Sequence, residues 1–304
     1  MTPHERFESA PAGSPVVCVD GRFLSAAAAT VPALDSGFLY GDGVFETFLV
    51  LDSGAPFLGR HLARLRAAAG ALAIVLPPAL DSEESAAALV ARLARENGLE
   101  RGAAGCRVTV SRGPRPPGPL APAVAAPTLV AALFPVAPPE TEPEPVRVGV
   151  STEIVFSAGP WTRHKTLSSL FRILGRAEAH RRGLDDVVFA DAESRLCEAT
   201  NSHLFVLLPG DGWVTPPLSL GILRGLTREG LLAARGRTAA ERPVSASDLA
   251  RARGACLTNS LRGVIPIASF DGRALDPLAS RPLRRAWIEA VAGRAGARPA
   301  EGGP

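Results

Sequence analysis

The stretch WTRHKTLSSLFRIL, residues 161–174, contains Lys165, the only lysine of the chain. All other residues among the 33 counted as Lys or Arg are arginines. An ammonium group can lose its proton at accessible pH and become a nucleophilic amine, whereas a guanidinium stays protonated. Amine nucleophiles form Schiff bases with carbonyl compounds, chiefly pyridoxal phosphate. In a chain that otherwise uses arginine, Lys165 is therefore a candidate for amine chemistry.

The composition is that of an ordinary globular protein: 304 residues, 46% hydrophobic and 21% charged, with a net charge of +3. The chain has no long basic run and no aromatic–basic interleaving, so no nucleic-acid partner is expected. Residues 1–15 are polar, and the most apolar run, 120–139, is interrupted by prolines. We therefore expect a cytoplasmic protein without a membrane span. The four cysteines form no CxxC pair, and no His/Cys cluster has metal-ligand spacing, which predicts separate reduced thiols and no metal.

A proline- and glutamate-rich passage divides the chain into two parts, and this composition is typical of interdomain linkers. Strands and helices are mixed on both sides of it without a regular βαβ rhythm, which predicts an α+β fold. The predicted organisation is a disordered tail (1–15), a small N-terminal domain (16–136), the linker (137–146), a larger C-terminal domain (147–294) and a second disordered tail (295–304).

Several local signals predict individual elements. Asp20-Gly21 is a hairpin-turn dipeptide. A helix is predicted from Asp81 or Ser82 as N-cap to Gly98. A second helix is predicted to begin at Lys165, with Gly183 as its C-cap. Its predicted buried face consists of Leu167, Leu170, Phe171 and Leu174.

Five further segments accompany the lysine in a fixed order: DSGFLYGDGVFETFLV (35–50), GRHLARL (59–65), LCEATNSHLF (196–205), TPPLSLGILRGLTRE (215–229) and CLTNSLRGVIPI (256–267). Together they resemble the fold-type IV pyridoxal-phosphate enzymes, the class IV aminotransferase family. This family includes branched-chain and D-amino-acid aminotransferases and aminodeoxychorismate lyases. The resemblance implies a two-lobed α+β fold, pyridoxal 5'-phosphate as cofactor, and a homodimer with loops crossing into the neighbouring site.

The resemblance also implies roles for two chemically central residues. Lys165 matches the lysine that forms the Schiff base with the cofactor and later transfers the proton. Glu198 matches the carboxylate that pairs with the pyridine nitrogen. A protonated pyridine ring acts as an electron sink, and a buried glutamate needs such a cationic partner.

Five other residues match the phosphate-binding positions of the family. Leu226 and Thr227 are predicted at the start of a helix, where unpaired N–H groups favour an anion. Asn259 and Ser260 are predicted in a turn that supplies further donors. Arg64 matches an arginine that contacts the phosphate, and an arginine suits an anion because it can donate two parallel hydrogen bonds.

The reaction is predicted from smaller differences within the family. Leu170 stands where the branched-chain enzymes have a tyrosine, and Asn259 is similar to the asparagine of the lyases. These features favour aminodeoxychorismate lyase, which releases pyruvate and 4-aminobenzoate for folate synthesis from a small-molecule amine. Arg112 or Arg115 is a candidate for the substrate carboxylate, and Tyr40 is a candidate for lining the pocket from a dimer partner. His203 departs from the family pattern, which usually has asparagine there.

Two alternatives stay open at this point. One is an aminotransferase acting on branched-chain or D-amino acids with the same scaffold, because fold does not settle function. The other is a binding or scaffold protein that keeps the fold without the cofactor. A yellow protein that loses its colour when Lys165 is replaced would distinguish an enzyme from the second alternative.

Overall fold

The computed structural model describes residues 14–52, 54–115, 126–234 and 239–295. The chain forms two compact units, with the division between Val136 and Ala137. The predicted tails lie outside the described residues except for Ser14, Pro15 and Ala295. No helix in the described part of the chain has the length and hydropathy needed to cross a bilayer.

The elements of the described residues are numbered in chain order. The strands are β1 (Val16–Val19), β2 (Arg22–Ser25), β3 (Gly43–Leu51), β4 (Ala103–Ser111), β5 (Thr128–Pro135), β6 (Val146–Val155), β7 (Asp186–Ala190), β8 (Arg195–Ala199), β9 (His203–Leu208), β10 (Gly212–Thr215), β11 (Ala239–Glu241), β12 (Val244–Ser245), β13 (Gly254–Asn259), β14 (Gly263–Phe270) and β15 (Arg273–Ala274). The helices are α1 (Ser36–Tyr40), α2 (Leu58–Ala71), α3 (Glu83–Glu96), α4 (Leu170–Arg181), α5 (Leu226–Ala233), α6 (Ala246–Arg251) and α7 (Arg281–Ala295).

The N-terminal unit is a five-stranded antiparallel sheet in the order β2-β1-β5-β4-β3, against which α2 and α3 pack. The predicted hairpin turn is confirmed, because Asp20 and Gly21 both have positive φ, at 49° and 80°, as a tight two-residue hairpin turn requires. The helix predicted between Asp81 or Ser82 and Gly98 is also confirmed. The Ser82 hydroxyl accepts from the N–H of Ser85 at its start, and Gly98 lies just beyond its end with φ of 64°.

The C-terminal unit is built on a larger sheet in which six strands close into a ring, in the order β9-β13-β14-β6-β7-β8 and back to β9. Within the ring, β6 pairs in parallel with β7 and β14, and the other neighbours are antiparallel. Each strand contributes buried apolar side chains to one core, among them Val148, Val188, Leu196, Leu204, Leu257 and Ile265. The pairing that closes the ring joins Glu198 to His203.

Helix α4 differs from its prediction in both its start and its buried face. It begins at Leu170, so Lys165 lies in an irregular segment five residues before it. The Ser169 hydroxyl donates to the Thr166 carbonyl (2.9 Å), a local side-chain hydrogen bond that competes with helix formation. Leu170 and Leu174 are 65% and 50% exposed, and of the predicted face Phe171 packs against the core.

Glu178 fixes α4 to strand β6. Its carboxylate is fully buried and accepts from the Ser151 hydroxyl (2.6 Å), the Thr152 N–H (2.8 Å) and Arg182 Nη1 (2.7 Å). Burial by itself would raise the pKa of this carboxyl, but the hydrogen bonds from Ser151, Thr152 and Arg182 lower it overall. The helix is therefore held by this polar contact together with Phe171 and Ala179 in the apolar core, rather than by the predicted leucine stripe.

The passage predicted as a linker, 137–146, lies against α7. Arg284 donates to the carbonyl oxygens of Pro139 and Thr141, both at 2.5 Å. Arg281 on the same helix pairs with Glu142 (3.3 Å). These contacts explain why the passage belongs to the C-terminal unit.

Candidate active site

Lys165 is half-buried and lies between two segments that are anchored within the C-terminal unit. On its N-terminal side, the Thr162 hydroxyl donates to the Gly221 carbonyl (2.7 Å) in the loop that leads to α5. On its C-terminal side, Arg172 of α4 donates to Glu198 of β8 (2.6 Å). The lysine is thus tied through its chain neighbours to the two elements that carry the predicted phosphate and ring-nitrogen contacts.

Glu198 is 1% exposed at the end of the strand that closes the ring. Its Oε1 accepts from Arg172 Nη2 at 2.6 Å, and its Oε2 lies 3.9 Å from His203 Nδ1. A carboxylate buried to this degree requires cationic or hydrogen-bonding partners. The site therefore presents a buried anion suited to a protonated ring nitrogen.

Three of the five predicted phosphate-binding residues, Leu226, Thr227 and Asn259, come together at the start of α5. Leu226 is the first helical residue, and the capping position is Gly225, which has no side chain to offer the first-turn N–H groups. The Thr227 hydroxyl donates to the Asn259 carbonyl (3.0 Å), which joins this helix to the turn between β13 and β14. The Asn259 amide oxygen accepts from the N–H groups of two residues in that turn, Leu261 (3.1 Å) and Arg262 (2.9 Å).

His203 connects the two ends of this arrangement. A Cβ atom built on Gly225 would lie only 2.2 Å from the His203 ring, so the glycine is required by the packing of the imidazole. The same ring faces the Glu198 carboxylate. An imidazole at this position therefore spans the distance between the acidic site and the start of α5.

Arg64 lies in the N-terminal unit, on α2, where it contacts Glu46 of β3. Arg64 Nε and Nη2 donate to the two Glu46 oxygens at 2.6 and 2.8 Å, and His61 Nδ1 lies 2.8 Å from the same carboxylate. Burial would raise the pKa of Glu46, but the Arg64 charge and the hydrogen bonds from Arg64 and His61 lower it to about 2. The phosphate contact of Arg64 stays a prediction.

This cluster predicts a pH-dependent effect of Glu46→Gln on stability. A carboxyl whose pKa falls from 4.5 to about 2 on folding contributes about 3 kcal/mol above pH 4.5 and loses this contribution as the pH falls toward 2. The substitution is therefore expected to lower the free energy of unfolding by about that amount at pH 7 and progressively less below pH 4.5. Urea unfolding at several pH values measures the difference.

Glu96→Gln is the matched control, because Glu96 forms an exposed pair with Arg92 (3.6 Å) and such pairs contribute little. A Glu46→Gln cost that stays constant between pH 7 and pH 3 would contradict the assignment.

The three predicted substrate residues also lie in the N-terminal unit. Arg112 donates to both Asp42 oxygens (2.6 and 3.1 Å) and to the carbonyls of Leu72 (2.8 Å) and Ala73 (2.9 Å). All three of its guanidinium nitrogens thus serve the fold, which weighs against a substrate contact. Arg115 instead lies near the Tyr40 ring, 5.9 Å from its centroid, and Tyr40 is 40% exposed. The structure thus brings Tyr40 and Arg115 together, and their substrate roles stay predictions.

The model of the amino-transferase class IV family matches residues 43–270. The chain belongs to this family. The bifunctional aminodeoxychorismate lyase / D-amino acid transaminase of Mycobacterium tuberculosis is 30% identical over 300 residues, which cover 91% of this chain and 97% of that protein. Other relatives are named D-alanine aminotransferases.

Solved structures agree with this assignment. The 4-amino-4-deoxychorismate lyase from Pseudomonas aeruginosa has a TM-score of 0.71 at 30% identity, covering 88% of this chain and 97% of that one. A hypothetical aminotransferase from M. tuberculosis in its PLP-bound form has a TM-score of 0.78 at 25% identity, covering 91% and 99%. The predicted fold-type IV architecture is confirmed, and the chain is a pyridoxal-phosphate-dependent enzyme.

The donor set of the C-terminal unit fits the cofactor. Glu198 would face the ring nitrogen, and the first turn of α5 with the turn after Asn259 would hold the phosphate. Sequence reasoning missed Arg172, although it lies in the quoted stretch around Lys165. The sequence shows only that a basic residue follows the lysine by seven positions. It does not show with which acidic residue that arginine pairs.

Proposed function

We propose that this enzyme is a cytoplasmic aminodeoxychorismate lyase that converts 4-amino-4-deoxychorismate to 4-aminobenzoate and pyruvate. The observation that carries the proposal is Asn259, the residue by which this turn resembles that of the lyases, and whose amide oxygen organises the turn beside α5. Leu170 argues against a branched-chain aminotransferase, because by resemblance those enzymes carry a tyrosine at this position. The two relatives described above at 30% identity both carry a lyase name, and one of them is also named a D-amino acid transaminase.

In this reaction the bound cofactor supplies an electron sink for the amine-bearing carbon of the substrate. The Lys165 Nζ amine would act as the general base that removes the proton from that carbon. The electron pair completes the aromatic ring as the neighbouring carbon–oxygen bond breaks, and the enolate of pyruvate leaves and takes up one proton to give pyruvate. The buried Glu198 carboxylate would pair with the ring nitrogen of the cofactor.

The test is a direct assay of purified enzyme. We expect release of 4-aminobenzoate and pyruvate in equal amounts, and none from a Lys165→Ala variant. A panel of branched-chain and D-amino acids with 2-oxoacids is assayed in parallel for transamination. Transamination without any 4-aminobenzoate would overturn the lyase proposal and leave the class IV aminotransferase as the function.

The cytoplasmic location is supported by the state of the thiols. All four cysteines are buried and free, and unpaired cysteines are typical of reducing compartments. Burial raises the pKa of the Cys106 and Cys197 thiols to about 12, which makes them unreactive.

We further propose that the enzyme is a homodimer, and that the exposed face of α4 lies in the interface. Leu170, Ile173 and Leu174 are 65%, 64% and 50% exposed, and residues three and four apart share one face of a helix. A contiguous apolar face of this kind is typical of an interaction surface. A second copy of the chain is the partner that the family resemblance implies.

Ile173→Glu is therefore expected to convert a dimer into a monomer, because a charge would be buried without a partner. Sedimentation measures the mass, which should fall from about twice the chain's 31.6 kDa to that value. Arg181→Glu is the control, since Arg181 is an exposed residue of the same helix. A monomeric wild type at micromolar concentration would refute the dimer.

A further inference from the structure

The strongest unassigned feature of the C-terminal unit is the guanidinium group of Arg172. Its Nη2 donates to Glu198 Oε1 at 2.6 Å, while its Nη1 donates to the carbonyls of Thr200 (3.1 Å) and Ala199 (3.4 Å). The side chain is 20% exposed, and the acid it meets is 2% exposed. The Arg172 side chain thus donates hydrogen bonds both to the Glu198 carboxylate and to the backbone that follows Glu198.

The two oxygens of Glu198 have different surroundings. Oε1 accepts the short, charge-assisted hydrogen bond from α4, and Oε2 faces β9 through His203 Nδ1 at 3.9 Å. The other buried carboxylate nearby, Asp186 of β7, accepts a hydrogen bond from the Thr200 hydroxyl (2.7 Å). A carboxylate oxygen has two lone pairs, so a bond from the cofactor nitrogen to this carboxylate is compatible with Arg172 in place.

We propose that Arg172 is a positioning residue: it holds the Glu198 carboxylate in place, and its positive charge interacts with the same carboxylate that would pair with the cofactor nitrogen. The guanidinium donates from a rigid plane, so Nη2 on Glu198 and Nη1 on the Thr200 carbonyl fix the carboxylate relative to the backbone that follows it. Its positive charge also offsets part of the field that Glu198 exerts on the bound cofactor. Arg172 therefore influences the pH at which the bound cofactor loses its proton.

The inference rests on the family's cofactor and not on the lyase reaction, because it is tested without substrate. The readout is the visible absorbance of the bound cofactor, titrated with pH. Removing a positive charge several ångströms from a titrating group favours its protonated form. In Arg172→Met the pH midpoint of the absorbance is therefore expected to rise by about half to one pH unit.

Three further variants separate positioning from a merely structural role. Arg172→Gln removes the charge but keeps an N–H donor, and we expect the same upward shift in a more stable protein. Arg172→Lys keeps the charge, and we expect a midpoint close to that of the wild type with weaker cofactor binding. Arg181→Met, on the same helix and paired with exposed Glu153, is the matched control with an unchanged midpoint.

An unchanged midpoint in Arg172→Met or Arg172→Gln would overturn the proposal, whatever happens to their melting temperatures. Should Arg172→Met not fold, the glutamine variant decides alone. Loss of stability without a spectral shift would assign Arg172 a structural role only. Failure of the lyase assay would not affect this result, because the pH titration measures the bound cofactor without substrate and the lyase assay measures product release.

Discussion

Replacing Lys165 with alanine is expected to abolish the visible absorbance of the purified enzyme and to lower its turnover by at least about 10³-fold. Lys165 is the only lysine in the sequence, so no second lysine can replace it. The more informative variant is Lys165→Arg, which keeps a positive charge but cannot become a nucleophile. We expect it to be as inactive and as colourless as the alanine variant.

The fold itself should tolerate both changes. Lys165 is half-buried in an irregular segment, so the melting temperature is expected to change little. Arg163→Ala, two residues away at an exposed position, is the control and should retain colour and turnover. A Lys165→Arg variant with wild-type activity would contradict the role of the amine.

Glu198→Gln is expected to lower turnover by about 10²-fold while the protein still binds the cofactor through α5 and the Asn259 turn. The amide keeps the shape of the side chain but removes the negative charge that stabilises a protonated ring nitrogen. Turnover and cofactor affinity, measured separately, distinguish this effect from loss of the cofactor. Activity within about threefold of the wild type would contradict the pairing of Glu198 with the ring.

The same substitution has a second consequence, because it leaves Arg172 without its carboxylate. Breaking one half of a buried ion pair destabilises a protein more than removing both halves. The double variant Glu198→Gln with Arg172→Met is therefore expected to regain melting temperature relative to Glu198→Gln without regaining turnover. Recovery of turnover in the double variant would show that the unpaired arginine, and not the lost charge, caused the defect.

Features that depend on a few neighbouring residues were predictable from sequence. The Asp20-Gly21 turn requires positive φ at both positions, which these residue types adopt at low cost. The helix after Ser82 has a polar cap at its start and a glycine just past its end, and both signals act within one turn. The family and its cofactor were predictable because Lys165 and five segments occur together in order.

The helix after Lys165 shows where such reasoning ends. Apolar spacing predicted a buried stripe containing Leu170 and Leu174, but both are exposed, and the helix is held instead through the fully buried Glu178. Spacing shows that apolar residues share a face, and it cannot show what covers that face. An apolar stripe that packs against a second subunit has the same residue spacing as one that packs against the core of its own chain.

By itself, the sequence indicated amine chemistry at Lys165, because a lysine ammonium can become a nucleophilic amine and the guanidinium of an arginine cannot. It also determined the local turns and caps. Only the tertiary structure decided that Arg172 meets Glu198, that His203 packs on Gly225, and that Arg112 is committed to Asp42. These contacts join residues that are far apart in the chain or on different elements. The first two depend on the closed ring of strands and the elements packed on it, and the third depends on the fold of the N-terminal unit, so no local pattern reveals them.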